Sequence, residues 1–348
     1  MKKETFVRQK KNALIRPQLV YSIRIMGVRT KSIRLFRAIN QDARHWQILA
    51  LSSLFALSLT TSDFGARPTA LLAAFMGAIF AQAAGTIWVN ARKARRHARS
   101  GSHWRGSNLQ AGIVGWFAGF QWKSAMITSL SLSILLRANS LWFWLAAGLI
   151  AITAKFLIRY RGKHIFNPAC IGIVVITLLA GNAAWVSPGQ WGQAPIFAAF
   201  AIGFAALVLS SAKRLDIALG FLAGFAAMLF GRALYLGDPM AIPIHQLQSG
   251  ALLVFAFFMI TDPRSTPDSW VARLLFAFAV AAFAAWLGWE FHIRGAMLYA
   301  LAALALLTPI LDHLLPAERF EWLSKKDPPN EAESPRGGLR PRPHIVRA

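Results

Sequence analysis

Residues 141–163 read LWFWLAAGLIAITAKFLIRYRGK. Positions 140–158 carry a single charge, Lys155, and Arg159, Arg161 and Lys163 follow at once. A helix that crosses a bilayer needs ~20 mostly apolar residues, and Lys and Arg collect at the cytoplasmic ends of such helices. The stretch is therefore read as a membrane span that meets the cytoplasm at Arg159. The same pattern repeats outward in both directions. Ten candidate spans result, at 46–62, 69–90, 121–138, 140–158, 168–186, 194–212, 215–236, 245–261, 269–289 and 295–315. With the N-terminus in the cytoplasm, only Arg67, Arg137, Arg232 and Arg294 of the 38 Lys and Arg fall on the opposite face. One span more or fewer would put basic loops on both sides.

The composition agrees. Of 348 residues, 56% are hydrophobic and 15% charged, and mean hydropathy is +0.45. A soluble globule carries about a quarter charged residues. The net charge of +24 raises the question of nucleic acid, but 25 of the 38 basic residues sit in 1–45, 91–106 and 316–348. Those segments lack interleaved aromatic platforms, so no specific nucleic-acid partner is expected. The one cysteine, Cys170, excludes an internal disulfide and a multi-cysteine cluster within the chain. No cleavable signal peptide is apparent, since the first apolar run begins only near Trp46. Trp142, Trp144, Trp185, Trp191, Trp286 and Trp289 fall at outer span ends and Trp46, Trp88, Trp122 and Trp270 at inner ends, the headgroup level that indoles favour.

The expected fold is all-α: a polytopic membrane protein of about ten transmembrane helices in two inverted five-helix halves. Residues 1–45 form a basic cytoplasmic tail, 46–315 the membrane domain, and 316–348 a Pro-rich basic tail expected to be disordered. Within the first tail, residues 30–40 suit either an interfacial helix on anionic lipid or a solvated basic segment. Spans three and eight are short. Lys123 and Arg137 bracket the third, with snorkelling to make up the length, and the eighth is fully apolar only from Ala251 to Ile260. Paired short segments in inverted halves point to a central binding site; ordinary length variation is the competing reading.

Walker A, GxGxxG, HExxH and CxxC motifs are absent. His97 and His103 lack partners at metal-ligand spacing, so no metal site is expected. Chemistry is sought at two Pro-containing breaks on one face. The first is His164-Ile165-Phe166-Asn167-Pro168-Ala169-Cys170, entering span five. Asn before Pro is an ordinary helix start; equally, the helix amides and the Asn167 amide could face a polar ligand. The second is Thr261-Asp262-Pro263-Arg264-Ser265-Thr266-Pro267, leaving span eight. Asp262 follows a long apolar run, where a charge is costly unless paired or wet; Asp-Pro also makes a plain turn. The candidate pocket residues are Asn167, Pro168, Thr261, Asp262 and Pro263, expected to converge at the inner mouth of the bundle. No catalytic residue is assigned.

These residues carry a family resemblance. Asp42-Ala43-Arg44-His45-Trp46-Gln47-Ile48 opens span one, Lys123-Ser124-Ala125-Met126-Ile127-Thr128 opens span three, Phe166-Asn167-Pro168-Ala169 follows span four, and Phe257-Phe258-Met259-Ile260-Thr261-Asp262-Pro263 closes span eight. Over roughly 42–315 the chain resembles the NqrB/RnfD family, the membrane subunits of the sodium-pumping NADH:quinone reductase and the Rnf electron-transport complex. Within it, the run Trp185-Val186-Ser187-Pro188-Gly189-Gln190-Trp191-Gly192 is similar to compact relatives found beside enediyne-type biosynthesis genes. The resemblance implies a ten-helix bundle with inverted halves, a bacterial-type inner membrane, redox partner subunits, and FMN esterified to Thr in an SGAT-type motif after span five. None of the twelve threonines here follows an alanine. Ser249-Gly250-Ala251-Leu252 matches in letters only, so covalent FMN is not expected, and a non-covalent flavin or quinone near the two turns is left.

Among other polar residues, Asp216 suits the positive end of span seven. Gly220 and Gly224, like Gly115 and Gly119, are spaced for close helix packing. Arg232 and Glu290 are outer-face charges able to pair. Two function classes remain: a membrane subunit for electron transport and coupled ion translocation, or a stand-alone channel or transporter for a small solute or flavin.

Overall fold

A computed structural model describes residues 43–60, 67–99, 119–187 and 214–318. The expected sixth span, the interfacial helix and all of the two tails except 43–45 and 316–318 lie outside these residues, as do Gly115, His103 and the His97 side chain.

The described chain is mostly helical. Helix α1 spans Ala43–Thr60 and α2 spans Pro68–Arg99. Pro68 begins α2 where its missing N–H costs nothing. Arg92, Lys93, Arg95, Arg96 and Arg99 fill the last turns of α2, where cations suit the helix dipole. Helix α3 (Trp122–Leu135) leads into strand β1 (Leu136–Ala138), and α4 covers Leu141–Leu157. A hairpin follows, β2 (Arg159–Tyr160) against β3 (Lys163–His164). Its turn has Arg161 at φ 49° and Gly162 at φ 80°, the two positive values that a tight two-residue hairpin requires. Helix α5 (Pro168–Ala180) then gives way to β4 (Ala184–Val186). After the undescribed stretch come α6 (Leu215–Leu236), α7 (Ala241–Leu247) and α8 (Gly250–Val254), the last running into a π-helical turn, Phe255–Met259. Helices α9 (Trp270–Glu290), α10 (Ala296–Ala305) and α11 (Thr308–Leu314) complete the fold.

Among the described residues three helices are long and apolar enough to cross a membrane: Pro68–Arg96, Leu215–Leu236 and Trp270–Glu290. Two bent pairs, α7 with α8 at 48° and α10 with α11 at 50°, would each make one more span. Pro309 stands in the first turn of α11, where it ends one helix and starts the next. These apolar helices make a multi-pass membrane protein.

Two expected spans are shorter as helices than their apolar runs. Span three is helical only to Leu135 and span five only to Ala180, because both chains turn extended and pair. Strand β1 lies antiparallel to β4, with Leu136 opposite Val186 and Ala138 opposite Ala184. Ser187 N donates to Leu135 O at 2.7 Å and Asn139 N to Ala183 O at 2.9 Å. The ladder satisfies backbone groups that would otherwise be orphaned. Arg137 does not simply stretch toward water. Its guanidinium donates to Ser133 O at 2.9 Å and Leu136 O at 2.8 Å, closing the end of α3.

Glycines let the helices meet. A Cβ on Gly77 would lie 2.1 Å from Leu145 O, and one on Gly148 would lie 2.2 Å from Ala74 O. Helices α2 and α4 thus approach backbone to backbone, which small residues permit in a bilayer. Gly220 and Gly224 seat α6 on Leu274, Ala277, Phe278 and Ala281 of α9, as their spacing predicts. Arg232 packs on the Trp289 ring at 5.1 Å rather than against Glu290.

Candidate functional site

Asn167 holds the first turn. Its side-chain oxygen accepts from Cys170 N at 3.1 Å, capping α5 just before Pro168. Its Nδ2 donates to Met259 O, also at 3.1 Å. One buried amide therefore serves both a helix start and the end of the π-helical turn, 92 residues away. That turn contains the longer backbone bond Ile260 N to Phe255 O, 3.0 Å. Such insertions re-aim the residues that follow, here Thr261 and Asp262. Thr261 donates its hydroxyl back to Phe257 O at 2.7 Å.

Asp262 is tied from several sides. His164 Nε2 lies 3.1 Å from its Oδ2, Arg264 N donates to its Oδ1 at 3.1 Å, and the Thr266 hydroxyl donates to its carbonyl at 2.8 Å. Burial pushes the Asp262 carboxyl up, but the charge and hydrogen bond of His164, with the Arg264 amide and Ser265, hold it below the usual carboxylate value. The hairpin that carries His164 is anchored in turn. Lys163 Nζ pairs with Asp312 Oδ2 at 2.9 Å and Asp268 Oδ1 at 3.1 Å, and Asp268 N donates to Asp312 Oδ1 at 2.8 Å. Asp216 accepts from Ile217 N and from Arg273 Nε, a structural role at the start of α6.

Asn167, Pro168, Thr261, Asp262 and Pro263 all line one cavity of about 90 Å³. The two turns are neighbours. Ser124, Thr128 and Ser131 line it too, at i, i+4 and i+7 on one face of α3. Their spacing on one face of a span that also carries Ser129 and Ser133 was a readable signal. Thr128 and Ser131 are both 2% exposed, and among the described residues neither hydroxyl has a protein partner. Lys155 carried no such signal. It is 6% exposed and donates to Ser124 Oγ at 2.9 Å and to the Gln121 and Gln82 side-chain oxygens at 3.3 Å each. Arg44 and Arg264 also face the cavity, and Asp262 is its one carboxylate among the described lining residues. Leu252, at the acceptor position of the SGAT-like letters, is 1% exposed in the apolar core. No group of three His, Cys, Asp or Glu able to hold a metal occurs among the described residues.

The family resemblance is borne out by comparison with known proteins. Residues 178–321 match the NQR2, RnfD, RnfE family. The matched region contains the Thr261-Asp262-Pro263 turn and begins after Asn167-Pro168. The chain is similar to the D subunit of the ion-translocating oxidoreductase complex of Alcanivorax borkumensis, 26% identical in an alignment 255 residues long that covers 55% of this chain and 73% of that protein. The corresponding protein of Pseudomonas paraeruginosa is 26% identical in an alignment 253 residues long that covers 55% of this chain and 72% of the relative. That of Pseudomonas aeruginosa is 32% identical over 147 residues, which is 40% of this chain and only 41% of the relative.

Proposed function

We propose that the chain, similar to the NQR2, RnfD, RnfE family over residues 178–321, is an RnfD-type membrane subunit of an ion-translocating electron-transport complex. Its pocket between the two Pro-containing turns receives the polar edge of a non-covalent flavin or the head of a quinone. The observation that carries the cofactor reading is the charge of the pocket. Among the described residues Lys155, Arg44, Arg264 and His164 face it against the single carboxylate of Asp262, and Asp262 is already held by His164. Such a lining favours an electron-rich carbonyl group that gains negative charge on reduction. It disfavours a resting cation, since like unit charges ~4 Å apart repel by ~4 kcal/mol at an effective dielectric of ~20.

Volume limits the fit. A pocket for a whole small molecule runs to ~300 Å³ or more, and this cavity has about 90 Å³. A complete isoalloxazine does not fit within it; one edge does. A bound flavin or quinone would supply the electron-accepting carbonyls. The chain supplies the positive charge of Lys155 and the Thr128 and Ser131 hydroxyls as donors, and Asn167 and His164 fix the walls. No step is assigned to covalent flavin.

The reading places ten spans in two inverted halves in a bacterial-type inner membrane, with both tails and the hairpin in the cytoplasm. Two features support it: the charge asymmetry of the loops, and the departure from one long helix at the third and fifth spans, which end in strands, and at the eighth and tenth, which are bent pairs. NADH oxidation then falls to partner redox subunits, because this chain has no dinucleotide motif. Protein isolated from native membranes should co-purify with such partners. It should carry isoalloxazine or quinone that dithionite reduces and that denaturation releases. Colourless, quinone-free protein that moves a solute alone in liposomes would overturn the reading in favour of a stand-alone transporter.

A further inference from the structure

A second cavity of about 220 Å³ adjoins the first and shares Gln121, Lys155 and Arg264 with it. Helices α2 and α4 form its walls. Lys93, Lys155, Arg159 and Arg264 line it, and among the described residues no carboxylate does. Asp262 lines only the neighbouring cavity. Buried neutral groups complete the lining: Gln82 at 1% exposure, Thr86 at 4% and Asn90 at 7%. The Gln82 amide donates to Thr86 Oγ1 at 3.3 Å, and Thr86 donates back to Gln82 O at 2.7 Å.

Lys155 is the key to this place. Its ammonium is buried, and all three of its hydrogen-bond partners are neutral oxygens. The Asp262 carboxylate acts on it only across the first cavity and is itself bound to His164, and a buried charge without a bonded counter-ion is unfavourable. Arg159 is held over the same site: its Nε donates to Lys155 O at 2.6 Å and its guanidinium lies 5.2 Å from the Phe156 ring. The level is that of Trp88, whose ring Arg92 covers at 3.8 Å, beside Val89 and Asn90 in the cavity wall. Indoles mark the headgroup region, and basic pockets between helices on that side of a membrane take phosphate headgroups.

We infer that this cavity binds a phosphate-type oxyanion, which supplies the counter-charge that Lys155 and Arg159 lack. The group is either a soluble phosphate or the phosphate of an anionic inner-leaflet lipid. The cavity adjoins the cofactor pocket and shares Lys155 and Arg264 with it, but the inference does not rest on a cofactor being bound there.

The test uses the full chain in an uncharged detergent. One arm titrates inorganic phosphate at constant ionic strength against chloride and follows thermal stabilisation. The other counts retained phosphatidylglycerol against phosphatidylcholine by native mass spectrometry. Saturable one-to-one binding is expected in at least one arm: with inorganic phosphate if the ligand is soluble, with phosphatidylglycerol alone if it is a lipid. Lys155→Gln and the more exposed Arg159→Gln should each weaken it by about tenfold, the scale of one charge-assisted hydrogen bond. Arg92→Gln, which removes the same charge from α2 outside the cavity, should leave it unchanged. Absence of saturable binding of both probes to the wild-type chain would overturn the inference. So would equal weakening by Arg92→Gln, which would mean diffuse surface charge.

Discussion

Asn167 Nδ2 donates to the Met259 carbonyl at 3.1 Å, so the turn that starts α5 and the turn that leaves α8 are one structural unit. Asn167 Oδ1 caps α5 at the same time. Asn167→Ala should therefore cost more than an ordinary cap of ~1 kcal/mol, since it also removes the shorter of two hydrogen bonds to the Met259 carbonyl, which keeps only Asp262 N at 3.3 Å, a further ~0.5–1.5 kcal/mol. Thermal unfolding in detergent checks this. A loss no larger than that of a single exposed cap would show that the Met259 contact contributes nothing.

His164 and Asp262 should be energetically coupled. In a double-mutant cycle with His164→Gln and Asp262→Asn, the pair should deviate from additivity by ~0.5 kcal/mol or more, as contacting residues do. Additive effects would mean that the 3.1 Å approach is only a neighbourhood.

Acid should act through Asp262. Its folded carboxyl is held below the usual value, so its stabilising contribution is fully present above the unfolded value of ~3.9 and is lost as pH falls through the folded one. On acidification from about pH 5, the stability gap between wild type and Asp262→Asn should close as the pH falls below about 4. A gap that widens on acidification would give the shift the opposite sign.

The α2–α4 contact predicts a contrast between glycines. Gly77→Ala puts a methyl group 2.1 Å from Leu145 O and should destabilise by ~1–3 kcal/mol, the usual cost of overpacking. Gly231 has nothing within 4 Å of its added Cβ, so Gly231→Ala should be neutral or stabilising by up to ~1 kcal/mol. Equal melting temperatures for the two variants would contradict the close approach.

Orientation is a separate expectation. Reporter fusions after Lys163 and Gly338 should read as cytoplasmic, and a fusion after Gly237 as external. A cytoplasmic signal at Gly237 would break the proposed ten-span topology.

Much of this was legible in the sequence because it rests on local chemistry. Asn167 before Pro168 is a helix start by residue type alone, and Asp262 after a long apolar run had to find a partner. The shortness of spans three and eight could be counted directly. What escaped depends on pairs far apart in the chain. Lys155 looked like one more basic residue at a span end, because its partners Gln82 and Ser124 stand 73 and 31 residues away. Gly77 and Gly148 lie on different helices and make no spacing motif. The ends of α3 and α5 were placed too late because Leu136 pairs with Val186, and apolar residues of that kind read equally well as more helix.

The most direct test of the pocket is its cofactor content. Wild-type protein, Asn167→Ala and Asp262→Asn should be isolated from native membranes, and flavin and quinone counted per chain together with the melting temperature. The account predicts that each variant stays folded while its loaded fraction falls by about tenfold, the loss of one good polar contact or its support. Full loading in both variants, with only small and additive losses of stability, would contradict it and leave the two turns as helix caps and nothing more.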